Sequence, residues 1–240
     1  SSAASDVYKR QVYTREDINA ALAAEREGQN PYDIVPSRDE NGHGTFLAGV
    51  AAASETADYI GAAPEAEILM VKLKPAKKYL RDFYLFPREA EVFQEDDIML
   101  AIAYVLQCAV ENQMPLSICI GLGTNMGAHR GDGPLSEFIN STASFSQNSI
   151  SIAAGNEGTA RHHYLSGADR QEKTDTVELK VGEQESTRGF SMEFWGDSPN
   201  FYNIVIQSPT GERLPVSTAL KYRTQELSFV FVETRILVNY

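Results

Sequence analysis

Two short blocks of the chain carry residue types that can do chemistry. The first is Asn41-Gly42-His43-Gly44-Thr45-Phe46-Leu47-Ala48-Gly49. A histidine between glycines leads into a run of small residues, although glycine weakens a helix by about 1 kcal/mol relative to alanine. That cost fits a backbone that must pass close to something while the His43 imidazole faces a cleft. The second block is Ser151-Ile152-Ala153-Ala154-Gly155-Asn156-Glu157-Gly158. An apolar run ends in Ala-Ala-Gly, and an asparagine then emerges where the ligand sites of α/β sheets gather. The Asn156 amide can donate to a developing oxyanion, with Gly155 leaving room beside it. Taken singly, the blocks also fit plainer roles: a loop histidine at a glycine-rich helix start, and an Asn-Glu-Gly turn.

These residues need elements to hold them. Residues 13–27 predict a helix, with Thr14 as N-cap, an acidic first turn and Gly28 as its stop. Residues 29–41, holding Pro31 and Pro36, read as loop, and 43–54 as a buried helix that begins at the histidine. Residues 66–73 form an apolar run of the kind found in central strands. Residues 74–95 lack a period and read as a surface excursion. Ile98, Ala101, Ile102, Val105, Leu106, Ala109 and Val110 share one helical face, with Asp96 or Asp97 as cap and Pro115 as terminator. Residues 116–122 and 149–154 read as buried strands, and 135–143 as a helix. Alternating strands and helices imply a parallel sheet. After about Gly167 the pattern becomes β, with strands expected at 177–181, 189–195, 202–207 and 227–232 between turns at Gly196–Pro199 and Ser208–Gly211.

Composition narrows the partners. Of 240 residues, 42% are hydrophobic and 22% charged, and the net charge is −12, which opposes binding to phosphate backbones. Nucleic acid is therefore not an expected partner. Two cysteines, Cys108 and Cys119, make neither a disulfide scaffold nor a C-x-x-C zinc pair, and each reads as a small buried hydrophobe. The longest apolar run, 98–110, is too short to span a bilayer, so no membrane partner is expected. His129, His162 and His163 lack an H-x-x-x-H helix or carboxylate set, so no metal and no cofactor are expected. Asn140-Ser141-Thr142 is a glycosylation sequon in form only, since it falls in an expected helix.

Together and in this order, the blocks resemble the subtilisin-like serine proteases (subtilases), whose histidine block reads His-Gly-Thr-x-x-Ala-Gly and whose oxyanion block reads Ala-Ala-Gly-Asn. Between them, residues 66–74 resemble the family's core strand and Ser117-Ile118-Cys119-Ile120-Gly121-Leu122-Gly123 the strand that pairs with substrate. The run Gly123–His129 and His162-His163-Tyr164 are similar to the clostridial spore-germination subtilases, which carry a jelly-roll insertion between the oxyanion asparagine and the catalytic serine. The resemblance implies His43 as general base and Asn156 as oxyanion donor. It implies Gly121, Leu122 and Gly123 as one wall of the substrate site and Ala153, Ala154 and Gly155 as the other, with the region of Phe93 and Gln94 as a further edge.

The family's aspartate and serine blocks have no match in these residues. Asp39 stands too close to His43, while Asp33, Asp17 and Asp6 lack the apolar strand and glycine that should flank the aspartate. Ser191, in Gly189-Phe190-Ser191-Met192-Glu193, is a poor nucleophile candidate because bulky residues and alternation follow it. The expected architecture is therefore α/β: a partial subtilisin-like parallel-sheet core at 13–166, then a partial β-rich, jelly-roll-like segment at 167–240, with 1–12 unassigned. The expected function is that of an internal piece of a serine endopeptidase, inactive alone, whose substrates are proteins or peptides. The alternative is a subtilase-fold pseudoprotease acting as a scaffold in spore germination, with other subtilases as partners. A β-sandwich binding module is a third reading. The resemblance would place the protein in the spore or the cytoplasm; the residues themselves assign no compartment.

Overall fold

The computed structural model describes residues 11–166, 174–182, 189–216 and 224–239. It resolves into two compact units, each assembled from separate stretches: Ser1–Leu73, Ala101–Gly123 and Gln147–Asn156 in one, Lys74–Leu100, Thr124–Ser146 and Glu157–Tyr240 in the other.

The first unit opens with helix α1, Arg15–Arg26, close to the expected span. Thr14 and Asp17 form a reciprocal capping box, in which each residue's side chain accepts the other's backbone N–H. The chain leaves the helix through Gly28 at φ +78°, a backbone state that glycine adopts at little cost. Within the expected loop at 29–41 lies a 3-10 turn, Pro31–Asp33, capped by the Asn30 side chain on the Tyr32 N–H. Helix α2, His43–Ala52, begins at the histidine as expected, but none of its residues is buried, and Phe46 is 67% exposed. Its far end is strapped by the returning chain, with Gly61, Ala62 and Ala63 donating to the carbonyls of Ala53, Val50 and Ala51.

Residues 66–73 do not form the expected strand. No described strand runs beside them, and Ile68 and Met70 lie more than half exposed. Strands β1, Leu116–Ile120, and β2, Asn148–Ile152, pair in parallel, from Leu116 opposite Asn148 to Ile120 opposite Ile152. Both are shorter than expected at their C-terminal ends, where the chain turns into irregular backbone at Gly121 and Ala153. They are also covered on one side only. Burial alternates along β1, so Ser117 and Cys119 face outward, and Cys119 is exposed rather than buried.

Helix α4, Glu95–Glu111, begins in the second unit and ends in the first, where Ile102, Val105 and Ala109 are buried. It starts one residue before the aspartates expected to cap it. Asp96 and Asp97 fill its first turn instead, where carboxylates favour the helix dipole.

In the second unit the expected excursion at 74–95 contains a short helix, α3, Lys78–Phe83. Buried Gln94 pins it, accepting the Lys77 N–H at 2.9 Å and donating to Asp96, while Lys74 pairs with Asp97 at 3.0 Å. Helix α5, Pro134–Ala143, starts on the proline, whose fixed φ suits a first helical position.

The β-rich part holds two hairpins. Strands β3, Ile204–Gln207, and β4, Arg213–Val216, are antiparallel across the expected Ser208–Gly211 turn; β5, Gln225–Ser228, pairs with β6, Arg235–Val238. The strand expected at 227–232 stops early because the Glu212 carboxylate accepts the Val230 and Phe231 N–H groups, turning them away from any ladder. Residues 177–181 and 189–195 pair with no described strand. In the latter, Glu193 instead accepts from the Gly127 N–H and the Trp195 indole.

Candidate functional site

His43, Gly121–Gly123 and Ala153–Asn156 belong to the first unit, so their mutual geometry can be read directly; Phe93 and Gln94 belong to the second. His43 is the first residue of α2, preceded by Gly42 at φ +87°. Its ring lies against the end of β1: a Cβ added to Gly121 would stand 3.3 Å from His43 Cε1 and 2.2 Å from Leu47 Cδ1. Gly121 is thus the position where backbone, imidazole and the side chain one helical turn further on converge, and a side chain there would force Leu47 to move.

The ends of the two parallel strands continue side by side. Ala153 donates its N–H to Ile120 O at 3.0 Å, and a Cβ on Gly123 would meet Ala153 O at 3.8 Å. Gly121 and Leu122 are half-buried, while Gly123, Ala153, Ala154, Gly155 and Asn156 are exposed. Gly155 takes φ +83° with open space around it, and Asn156 follows at the carboxyl side of β2. His43 and Asn156 therefore both sit beyond the C-terminal ends of the paired strands. Among the described residues no hydrogen bond joins them.

Each described aspartate weighed for catalysis is committed elsewhere. Asp17 belongs to the α1 capping box, and Asp33 accepts from the Asn30 amide at 2.7 Å. Asp6 lies outside the described residues. Asp39 collects four hydrogen bonds, from the N–H groups of Asn41, Gly42 and Thr45 and from the Thr45 hydroxyl. The Thr45 hydroxyl, then the Gly42 and Thr45 N–H groups, hold its carboxyl well below the usual carboxylate range. Leu47 was given no role by the motif reading, and Asp39 was weighed only as a catalytic aspartate and rejected. Their signals were available: Leu47 stands four positions after the histidine, on the same helical face, and Asp39 three before a glycine turn.

The remaining candidates lie in the second unit. Ser191 donates its hydroxyl to Tyr84 O at 2.9 Å. His163 stacks on His129 with ring centroids 4.3 Å apart. Glu157 accepts from Asn125 at 2.6 Å and lies 3.0 Å from His162 Nδ1, and these bonds, the one from Asn125 first, lower its pKa. Among the described residues no group of three or more His, Cys, Asp or Glu is arranged to hold a metal ion, and no described helix is long and apolar enough to cross a membrane.

The model of the subtilase family matches residues 5–184. Among solved structures, the CspB protease of Clostridium perfringens is similar, with a TM-score of 0.68 and 26% sequence identity. That match covers 95% of this chain and 45% of the other, so the chain spans under half the length of that protein. No curated protein matches.

Proposed function

This chain belongs to the subtilase family, and from that premise we propose that it carries the general base and the oxyanion donor of a serine endopeptidase acting on proteins or peptides. His43 takes the proton from a serine hydroxyl as the oxygen attacks the scissile carbonyl, and returns it to the leaving amine as the peptide bond breaks. Asn156 donates its side-chain amide to the oxyanion of the tetrahedral intermediate. Gly121, Leu122 and Gly123 pair with the substrate backbone along one wall, and Ala153, Ala154 and Gly155 line the wall opposite. The reading places a partial catalytic core at 13–166 and part of a jelly-roll insertion at 167–240.

The observation that carries this reading is the packing of the His43 ring on Gly121 at the end of β1. The neighbouring strand end with Asn156 supplies the second half of the geometry, since both groups sit at the carboxyl edge of the paired strands.

A scaffold role without hydrolysis is the competing reading. Peptide hydrolysis by the full-length protein separates the two. The protease reading expects turnover, with Asn156→Ala lowering kcat by about 10²–10³ at nearly constant KM, a range established on a subtilisin. Absence of turnover in the unmutated protein would favour the scaffold.

A further inference from the structure

We infer that Asp39 is the positioning residue of this site: its carboxylate fixes the turn that delivers His43 to Gly121. The inference rests on the reading of His43 as general base. Helix α2 faces a local conflict at its start. The backbone needs the left-handed state at Gly42, φ +87°, and the glycine that makes this possible has no side chain with which to cap the helix. Asp39 does the capping from three residues earlier. One carboxylate oxygen accepts the N–H groups of Asn41 at 3.1 Å and Gly42 at 2.8 Å; the other accepts the N–H of Thr45 at 2.8 Å and its hydroxyl at 2.7 Å. Its negative charge also lies at the positive end of the helix dipole.

His43 sits inside this clasp, between the Gly42 and Thr45 tethers, and gives its own N–H to the Asn41 side chain at 3.2 Å. Gly44 is held close as well, since a Cβ there would stand 3.6 Å from Asp39 Oδ2. The opposite end of α2 is already fixed by the bonds from Gly61, Ala62 and Ala63. The freedom left to the helix is therefore at its start, where a small rotation would carry the imidazole off Gly121. Asp39 removes that freedom through backbone bonds, not through the ring.

The test is NMR on full-length protein labelled selectively at histidine, leucine and glycine. The unmutated protein should show cross-peaks from His43 Hε1 to the Gly121 α-protons and the Leu47 methyls. Asp39→Ala should abolish them and speed Thr45 amide exchange by roughly 5- to 10-fold, the scale of a lost side-chain cap, while the β1–β2 amides keep their protection. Asp39→Asn keeps one acceptor oxygen for Asn41 and Gly42 but sets an NH₂ against Thr45, so its cross-peaks should be weakened yet present. Thr45→Val removes only the hydroxyl bond and serves if the alanine variant does not fold; it too should weaken them. Unchanged cross-peaks in Asp39→Ala, or in Thr45→Val, would overturn the role of Asp39 alone. Their absence from the unmutated protein would overturn the placement of His43 and the role of Asp39 with it.

Discussion

Replacing Gly121 by alanine puts a methyl group where the structure has an imidazole edge and a leucine methyl. The new Cβ would lie 2.2 Å from Leu47 Cδ1 and 3.3 Å from His43 Cε1. Carbon–carbon contact becomes comfortable only at about 3.5 Å, so the leucine methyl must retreat by about 1.3 Å and the ring by a few tenths of an ångström. Leu47 is half-buried and can change rotamer, which limits the cost to about 1–2 kcal/mol. For a chain of this size that is a fall of about 2–8 °C in the unfolding midpoint. Gly61 provides the calibrating contrast. A Cβ there would meet the backbone nitrogen of Ala53 at 2.4 Å, and that nitrogen belongs to the strapped end of α2. Backbone cannot step aside without breaking the strap, so Gly61→Ala should cost about 3 kcal/mol or more, about 6–12 °C. Calorimetry or thermal circular dichroism ranks the two variants, and the His43 Hε1 resonance should shift in Gly121→Ala only. A Gly121→Ala variant at least as destabilised as Gly61→Ala, or one whose His43 resonance stays in place, would refute the packing described at the end of β1.

Two further outcomes follow from the hydrogen-bonded carboxylates. Asp39 has its pKa lowered by Thr45 and Gly42, so its contribution to folding is fully present above the unfolded carboxylate value of about 3.9 and is lost only as pH falls through the lower folded value. The Gly42 and Thr45 amide shifts should therefore stay flat on acidification past pH ~4 and move only below it; a midpoint at or above that value would contradict the clasp. Glu157 owes its lowered pKa first to Asn125. Asn125→Ala should return the Glu157 carboxyl towards its ordinary range, read from its side-chain carbon shift across pH. An unchanged midpoint would assign the shift to His162 alone.

The local grammar of the chain was legible wherever short-range chemistry decides the outcome. Thr14, Asp17 and Gly28 bound α1 by capping and a left-handed exit, and a helix starting at His43 follows from the glycine turn before it. The parallel pairing of β1 with β2 was legible because two apolar runs are joined through a helix. What failed depended on partners distant in sequence. Residues 66–73 look like a central strand by composition, yet a strand exists only where another lies beside it. The stop of β5 depends on Glu212, far from the apolar run that it interrupts. Cys119 was expected inside because its neighbours are apolar, but alternation along β1 turns it outward. Within the site, His43 and Asn156 stood out by their surroundings. Asp39 was set aside as the wrong aspartate for the catalytic triad, and its other use, capping a helix whose N-cap residue has to be glycine, became visible only with the turn itself.

The central claim, that His43 serves as the base of a serine peptidase, is tested most directly by a fluorophosphonate probe on the full-length protein and its His43→Ala variant. The account predicts stoichiometric labelling of a serine outside the present 240 residues in the unmutated protein, abolished by the substitution, and no labelling of the 240-residue chain alone. Labelling that survives His43→Ala, or none in the unmutated protein, would contradict it.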